Sequence, residues 1–183
     1  SSNSKQGSGS TGDSSTSTEK YQIQNNAVLL RNTSDIDWNE LQNQAENLYK
    51  SWTTITLDLN TMNVTSENIL AYNTNLDNLM VSLKEKNKVN SAICLANMYS
   101  LIPKYTNEIS SDTAKSKLET VKSNIIFAYS IVETDRWDDV LKLLGQAETD
   151  LTELMTMNEN LSTMRKPKIN KAYVLLKELI KSS

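Results

Sequence analysis

The chain has 183 residues, of which 38% are hydrophobic, with a formal net charge of −3 and a pI near 5.1. This length is enough for one domain with a well-packed core, and the acidic balance argues against electrostatic binding of nucleic acid. The chain has no histidine and one cysteine, Cys94, which removes the commonest metal ligand and general base and excludes an internal disulfide.

Helix-breaking residues and long apolar runs are both scarce. Only four glycines and two prolines occur, and three of the glycines lie within the first twelve residues. This distribution argues against a β-rich fold, because the many turns of such a fold need these residues. No run of 18 apolar residues exists, so no segment is expected to cross a membrane.

Residues 1–18 form a polar segment in which fourteen residues are Ser, Thr or Gly and none is apolar. A segment of this composition cannot bury enough apolar surface to offset the entropy of ordering it, so we predict a flexible tether. Residues 19–183 are predicted to form a single helical-bundle domain. Within it, residues 19–33 fit either a short helix or an extended strip, because their apolar residues follow no clear period.

The Ser/Thr/Gly/Asn-rich tether ahead of a helical domain resembles the mature N-terminus of a bacterial surface lipoprotein, just after its lipid-bearing cysteine. The Asn- and Lys-rich, Ala-poor composition is similar to that of proteins from AT-rich Gram-positive bacteria. The resemblance implies a lipid upstream of Ser1 that anchors the domain to the outer face of the cytoplasmic membrane. The alternatives are a cloning linker or the disordered N-terminus of a soluble protein.

The first long predicted helix begins near Ser34 or Asp35 and ends near Asn60. Its apolar residues recur in alternating steps of three and four, which draws one stripe along the helix: Trp38, Leu41, Ala45, Leu48, Trp52, Ile55 and Leu59. Four later segments repeat this spacing and are the expected partners of the stripe. The first of them follows Thr65 as N-cap and is predicted to end with Asn87 in the left-handed conformation.

The third predicted helix, from about Val89 to Ile109, is apolar on nearly all sides. A helix of this kind is surrounded by others, so we place it at the centre of the domain. Pro103 lies within it, lacks an N–H and crowds the carbonyl of the preceding turn, so it is expected to kink the helix.

The remaining helices are separated by breaks in the apolar period. The fourth begins at Ser111 or Asp112 and ends before a turn with Asp135 as the next N-cap. The fifth runs to about Met164, and Gly145 inside it predicts close packing of another helix. Pro167 precedes a final helix with Ile169, Tyr173, Leu176 and Ile180 on its stripe. The sequence therefore predicts an all-α, mostly antiparallel up-and-down bundle of five to six helices.

Several groups of residues could form chemical sites, but the sequence favours a structural interpretation for each. The acidic residues Glu133, Asp135, Asp138 and Asp139 lack the spacing of a calcium loop and fit a helix N-terminus. Cys94 has no histidine to activate it and is expected to be a small buried hydrophobe. Trp38 and Trp52 share the apolar stripe, so core packing is preferred over a ligand cage. No catalytic residue, metal site or cofactor is predicted.

The function predicted from these features is that of a non-catalytic, membrane-tethered extracytoplasmic domain that binds or braces another protein or cell-envelope component. The alternative is a small-molecule or peptide binder that uses an interhelical cleft at the Pro103 kink, lined by Tyr99, Tyr105 and Tyr129. An enzyme would need a buried carboxylate pair with shifted pKa values, and no local spacing predicts one.

Overall fold

A computed structural model describes residues 33–157 and, beyond them, Val174, Lys177, Glu178 and Lys181. Within these residues the fold is all-α and contains no strand. The predicted tether, residues 19–32 and most of the helix expected after Pro167 lie outside the described residues. Five helices are seen: α1 Trp38–Thr61, α2 Ser66–Lys84, α3 Lys88–Ile109, α4 Thr113–Ser130 and α5 Trp137–Thr156, with short 3₁₀ turns at Thr33–Asp35 and Val132–Thr134.

Consecutive helices pack against each other in antiparallel order. The start of α1 meets the end of α2, where the side-chain amide of Gln42 donates to the carbonyl of Leu83 at 3.3 Å. The start of α2 meets the end of α3, where the Tyr105 hydroxyl donates to the carbonyl of Asn68 at 2.9 Å. The most extensive helix contacts in the described part of the chain are between consecutive helices, and α1 meets α3 through the rings of Trp52 and Tyr105. This confirms the predicted up-and-down bundle, and it means that α1 and α3 run parallel with α2 behind them.

The hydrophobic core consists of two clusters that meet at α3. The first contains the buried faces of α1, α2 and α3, and the second joins α4 and α5 with Ile93 of α3. Leu76 and Leu151, at the middle of the two clusters, are 0% and 1% exposed, whereas Leu48 and Ile125 are half-buried against them. The near-continuous apolar surface of α3 therefore reflects its contacts with both clusters.

The connection between α2 and α3 corrects a prediction about Asn87. The left-handed residue is Lys86, at φ 55°, and Asn87 is the N-cap of α3, where its side chain accepts from the Asn90 N–H at 3.0 Å. The N–H of Lys86 and that of Asn87 donate to Leu83 and Ser82 at 3.1 and 2.8 Å, which is the Schellman pattern. Because the loop is so short, Asn87 both completes the hydrogen bonds at the end of α2 and caps the start of α3.

Two expectations about α5 were also wrong. Asp135 is not its N-cap but a left-handed residue at φ 57°, and Arg136 holds the cap position. A Cβ added at Gly145 would meet no heavy atom within 4 Å, so no described helix packs closely there. Trp137, the first residue of the helix, is 47% exposed.

Candidate functional site

The three tyrosines predicted to line a cleft at Pro103 contact three different partners. Tyr99 donates to a carboxylate oxygen of Glu119 on α4 at 3.1 Å, whereas Tyr105 is buried in the α1–α3 core. Tyr129 is 36% exposed and lines a small recess beside Lys88. Tyr99 and Tyr105 are six residues apart, which separates them by about 120° around the helix. The structure therefore does not bring these side chains together, and ligand binding by them stays a prediction.

Pro103 does not interrupt its helix. α3 continues from Lys88 to Ile109 with Pro103 buried inside it. Nearby side chains occupy backbone acceptors on either side, with the Ser100 hydroxyl donating to Asn97 at 2.6 Å and that of Thr106 donating to Ile102 at 3.0 Å. α3 is therefore continuous through Pro103, and the cleft expected at this position stays a prediction.

Trp52 belongs to an aromatic cluster rather than to an open cage. Its ring stacks on Tyr72 with centroids 3.8 Å apart, and Tyr105 lies 6.5 Å from both rings. The indole N–H donates to the side-chain oxygen of Asn73. Burial raises the pKa of Tyr72 and of Tyr105 above the ordinary tyrosine value, so both hydroxyls stay protonated. With Trp52 only 8% exposed, the cluster is part of the core.

Cys94 and the acidic residues show no geometry of a reactive centre. Burial raises the pKa of the Cys94 thiol, more than its hydrogen bond with Ser82 lowers it, and a protonated thiol is a poor nucleophile. Glu133 pairs with Lys88, and Asp139 pairs with Arg136. Across the described residues no three His, Cys, Asp or Glu side chains are grouped as a metal ion would need. None of the described helices is both long and apolar enough to cross a membrane.

Glu108 has a structural role that the sequence did not reveal. Thr65 makes no side-chain cap at the start of α2, and the Glu108 carboxylate accepts the Thr65 N–H and the Asn68 side-chain amide instead. These hydrogen bonds, that from the Thr65 N–H above all, lower the pKa of Glu108. A residue at the end of α3 thus caps α2.

An open apolar groove lies between α1 and α3, with α2 as its floor. It contains a cavity of about 260 Å³. Twelve side chains line the cavity: Ile36, Trp38, Leu41, Gln44, Ala45, Leu48, Leu79, Leu83, Lys88, Ser91, Ala92 and Leu95. Because α1 and α3 make few close contacts with each other, none of the described helices fills the space between them. We refer to this feature as the α1–α3 groove.

Ser91 is the unusual polar residue of the α1–α3 groove. The residue is only 6% exposed, and its Oγ has no hydrogen-bond partner among the described residues. The buried serines Ser82 and Ser130, by contrast, donate to backbone carbonyls three or four residues earlier, at 2.8 and 2.7 Å. A buried hydroxyl without a partner is destabilising by about 1–3 kcal/mol, so this position calls for an explanation.

Two rows of apolar residues continue the groove beyond its cavity. On α1 the row is Leu41, Leu48, Ile55 and Met62, and on α3 it is Leu95, Ile102 and Ile109. Each row repeats every seven residues and so follows one side of its helix. The last two residues of each row are 36–52% exposed. Because α1 and α3 are parallel, the two rows run in the same direction away from the cavity.

The α1 side of this groove is acidic. Residues 33–62 contain five acidic residues and one lysine. Asp37 and Asp58 are exposed and stand one helical turn from Leu41 and Ile55. On the α3 side the charged residue at the cavity is Lys88, whose ammonium pairs with Glu133. The α1 flank therefore carries a negative potential next to an apolar channel.

Comparison with known proteins finds no relative. No protein family matches the chain. No curated protein and no solved structure matches it either. The function therefore has to be inferred from the geometry of the molecule itself.

Proposed function

We propose that this protein is a non-catalytic binding domain that holds a partner in the α1–α3 groove. The observation that carries the proposal is an open apolar cavity of about 260 Å³ flanked by two parallel rows of partly exposed apolar side chains. Binding sites are typically concave and apolar with a few polar groups, and Ser91, Gln44 and Lys88 supply those groups here.

The groove differs from ordinary surface exposure of single apolar residues. Isolated leucines on a protein surface, such as Leu57 and Leu70 at 64% and 63% exposure, are common and need no explanation. Ile55, Met62, Ile102 and Ile109 instead lie at helical intervals beside one channel. Such an arrangement is favoured when a partner covers it, because burial of apolar surface drives association.

A binding role also accounts for the lack of activated side chains at the groove. Among the described residues, the titratable groups with raised pKa values are Cys94 and three tyrosines, which burial keeps in their neutral forms. Cys94 lies in the first core cluster, and none of the four lines the cavity. These features support binding rather than chemistry.

The site of action that we propose is the outer face of the cytoplasmic membrane, with the domain held there by a lipid upstream of Ser1. Support comes from the composition of residues 1–18, which are rich in Ser, Thr and Gly. The test is the sequence that precedes Ser1 in the full gene product. A hydrophobic signal segment ending in a small-residue motif and cysteine would support the tether, and a cytoplasmic domain at that position would contradict it.

The binding role can be tested with an apolar fluorescent dye such as anilinonaphthalene sulfonate and the full chain. We expect the dye to bind the native protein and to lose most of its fluorescence enhancement in Leu95→Asp. Leu70→Asp is the matched control, because Leu70 is more exposed than Leu95 and does not line the cavity. Equal binding by both variants would contradict the proposal.

A further inference from the structure

We propose that the occupant of the α1–α3 groove is an amphipathic α-helix of a partner protein with basic residues along one edge. This inference rests on the proposed binding role of the same groove. It names the partner by three properties of the site: the length of the apolar rows, the unpartnered hydroxyl of Ser91 and the acidic flank of α1.

The length of the rows favours a helix over a small molecule. From Leu41 to Met62 the α1 row extends over about 30 Å at 1.5 Å per residue. A small amphiphile that filled the cavity would cover Leu48 and Leu95 but leave Ile55 and Ile102 in water. A helix with apolar residues at steps of three and four would contact both rows along their whole length. It would pack on α1 and α3 as an additional helix of the bundle.

The hydroxyl of Ser91 indicates one polar residue on the buried face of that helix. Ser91 lines the cavity, and its Oγ lacks a partner among the described residues. The Oγ is already shielded from water, and an entirely apolar occupant would leave it without a hydrogen bond. An Asn, Ser or Thr facing Ser91 would supply one. A single buried polar contact of this kind also sets the register in which two helices pack.

The charges on α1 indicate that the partner helix carries positive charge. Asp37 and Asp58 are exposed beside the two ends of the α1 row, and the α1 region carries five acidic residues against one lysine. Lys or Arg residues on the α1 edge of the bound helix would lie near these carboxylates. Charges at the rim of an interface mainly accelerate association and make it depend on salt.

The test uses the full chain and a labelled, end-blocked peptide of about 20 residues, which matches the groove at 1.5 Å per residue. The peptide carries leucines at steps of three and four, one central Asn, and lysines along one edge. Two further peptides serve as controls, one with the same residues scrambled and one with glutamate in place of lysine. Fluorescence anisotropy measures binding, and circular dichroism measures the helix formed on binding.

We expect the basic peptide to bind and become helical, and the scrambled peptide to bind at least about tenfold more weakly, a difference well resolved in Kd. Leu95→Asp should abolish binding while Leu70→Asp leaves it unchanged. Asp58→Lys should reduce both the association rate and its salt dependence. Ser91→Ala should erase the preference for the central Asn over Leu in the peptide. Equal affinity for lysine and glutamate peptides would overturn the charge assignment and with it the proposal.

The remaining outcomes separate this inference from the proposed function. If the dye binds at Leu95 and no helical peptide does, the groove is a binding site but its occupant is not a helix. Tighter binding of a straight-chain amphiphile than of any peptide would likewise overturn the inference in favour of a small molecule. Self-association that Leu95→Asp abolishes would identify a second copy as the occupant. If neither dye nor peptide depends on Leu95, the proposed function fails as well.

Discussion

Replacement of Trp52 by alanine is the most direct test of the core described above. The indole is 8% exposed and lies in the middle of α1, between α2 and α3. It stacks on Tyr72 at 3.8 Å between centroids and approaches Tyr105 at 6.5 Å. The substitution therefore removes a large buried side chain and its ring contacts at once.

The expected loss of unfolding free energy is about 3–5 kcal/mol, the range for truncating a buried tryptophan or phenylalanine to alanine. The contact with Tyr72 places the value in the upper part of this range, because aromatic pairs contribute about 0.5–1.5 kcal/mol beyond area burial. The orphaned oxygen of Asn73 adds little, since Asn73 is only half-buried and water can reach it. For a domain of this size the melting temperature should fall by roughly 6–20 °C.

The measurement is urea unfolding followed by far-UV circular dichroism, with melting temperature as an independent readout. Trp52→Phe should lose only about 1–2 kcal/mol, because it keeps an aromatic ring but loses the hydrogen bond to Asn73. Leu57→Ala is the control on the same helix, since Leu57 is 64% exposed and its loss should stay within about 0.5 kcal/mol. A loss below about 1 kcal/mol for Trp52→Ala would refute the packing of α1 against α2 and α3.

Three further predictions concern single positions in the helices and their ends. Lys86→Gly should stabilise the domain by about 1 kcal/mol, because the left-handed backbone at φ 55° is unfavourable for lysine. Asn63→Gly, at φ 59°, should raise stability by less, since asparagine tolerates this region. Gly145→Ala should raise stability by about 0.5–1 kcal/mol, and a loss would reveal a close neighbour. Glu108→Gln should lower the melting temperature at neutral pH. The lowered pKa of Glu108 means that its contribution is present above the ordinary carboxylate range and disappears in acid, so the gap between variant and parent should close there.

The helices themselves could be predicted because their signal is local. α1 shows this most clearly, with apolar residues at steps of three and four from Trp38 to Leu59. Its predicted start near Ser34 or Asp35 was wrong, because the helix begins at Trp38 and the Asp37 side chain caps it by accepting the Glu40 N–H at 3.0 Å. The sparse glycine and proline content leaves few other places for a helix to end. These features depend on neighbours in the chain, so they are readable without a tertiary structure.

The ends of helices were predicted less well, because they depend on the geometry of the connection. Asparagine tolerates the left-handed conformation, so Asn87 was the expected residue there. Lysine adopts this conformation less readily, so nothing in the sequence indicated Lys86. The structure nevertheless uses Lys86 there, since α2 and α3 are joined by so few residues that Asn87 has to cap α3. Glu108 is a stronger case, because a cap supplied by a different helix leaves no sequence pattern at all.

The sequence by itself determined that α1 carries an apolar face, and the tertiary structure decided which part of it is covered. The predicted stripe of α1 contains two seven-residue rows. Trp38, Ala45, Trp52 and Leu59 are all buried, whereas Leu41 and Leu48 are half-buried and Ile55 is exposed. Helical spacing predicts which side chains share an apolar face, but it does not predict whether a second helix packs against every part of that face. Because the described helices pack mainly in consecutive order, none of them covers the second row, and this half of the stripe becomes one wall of the groove.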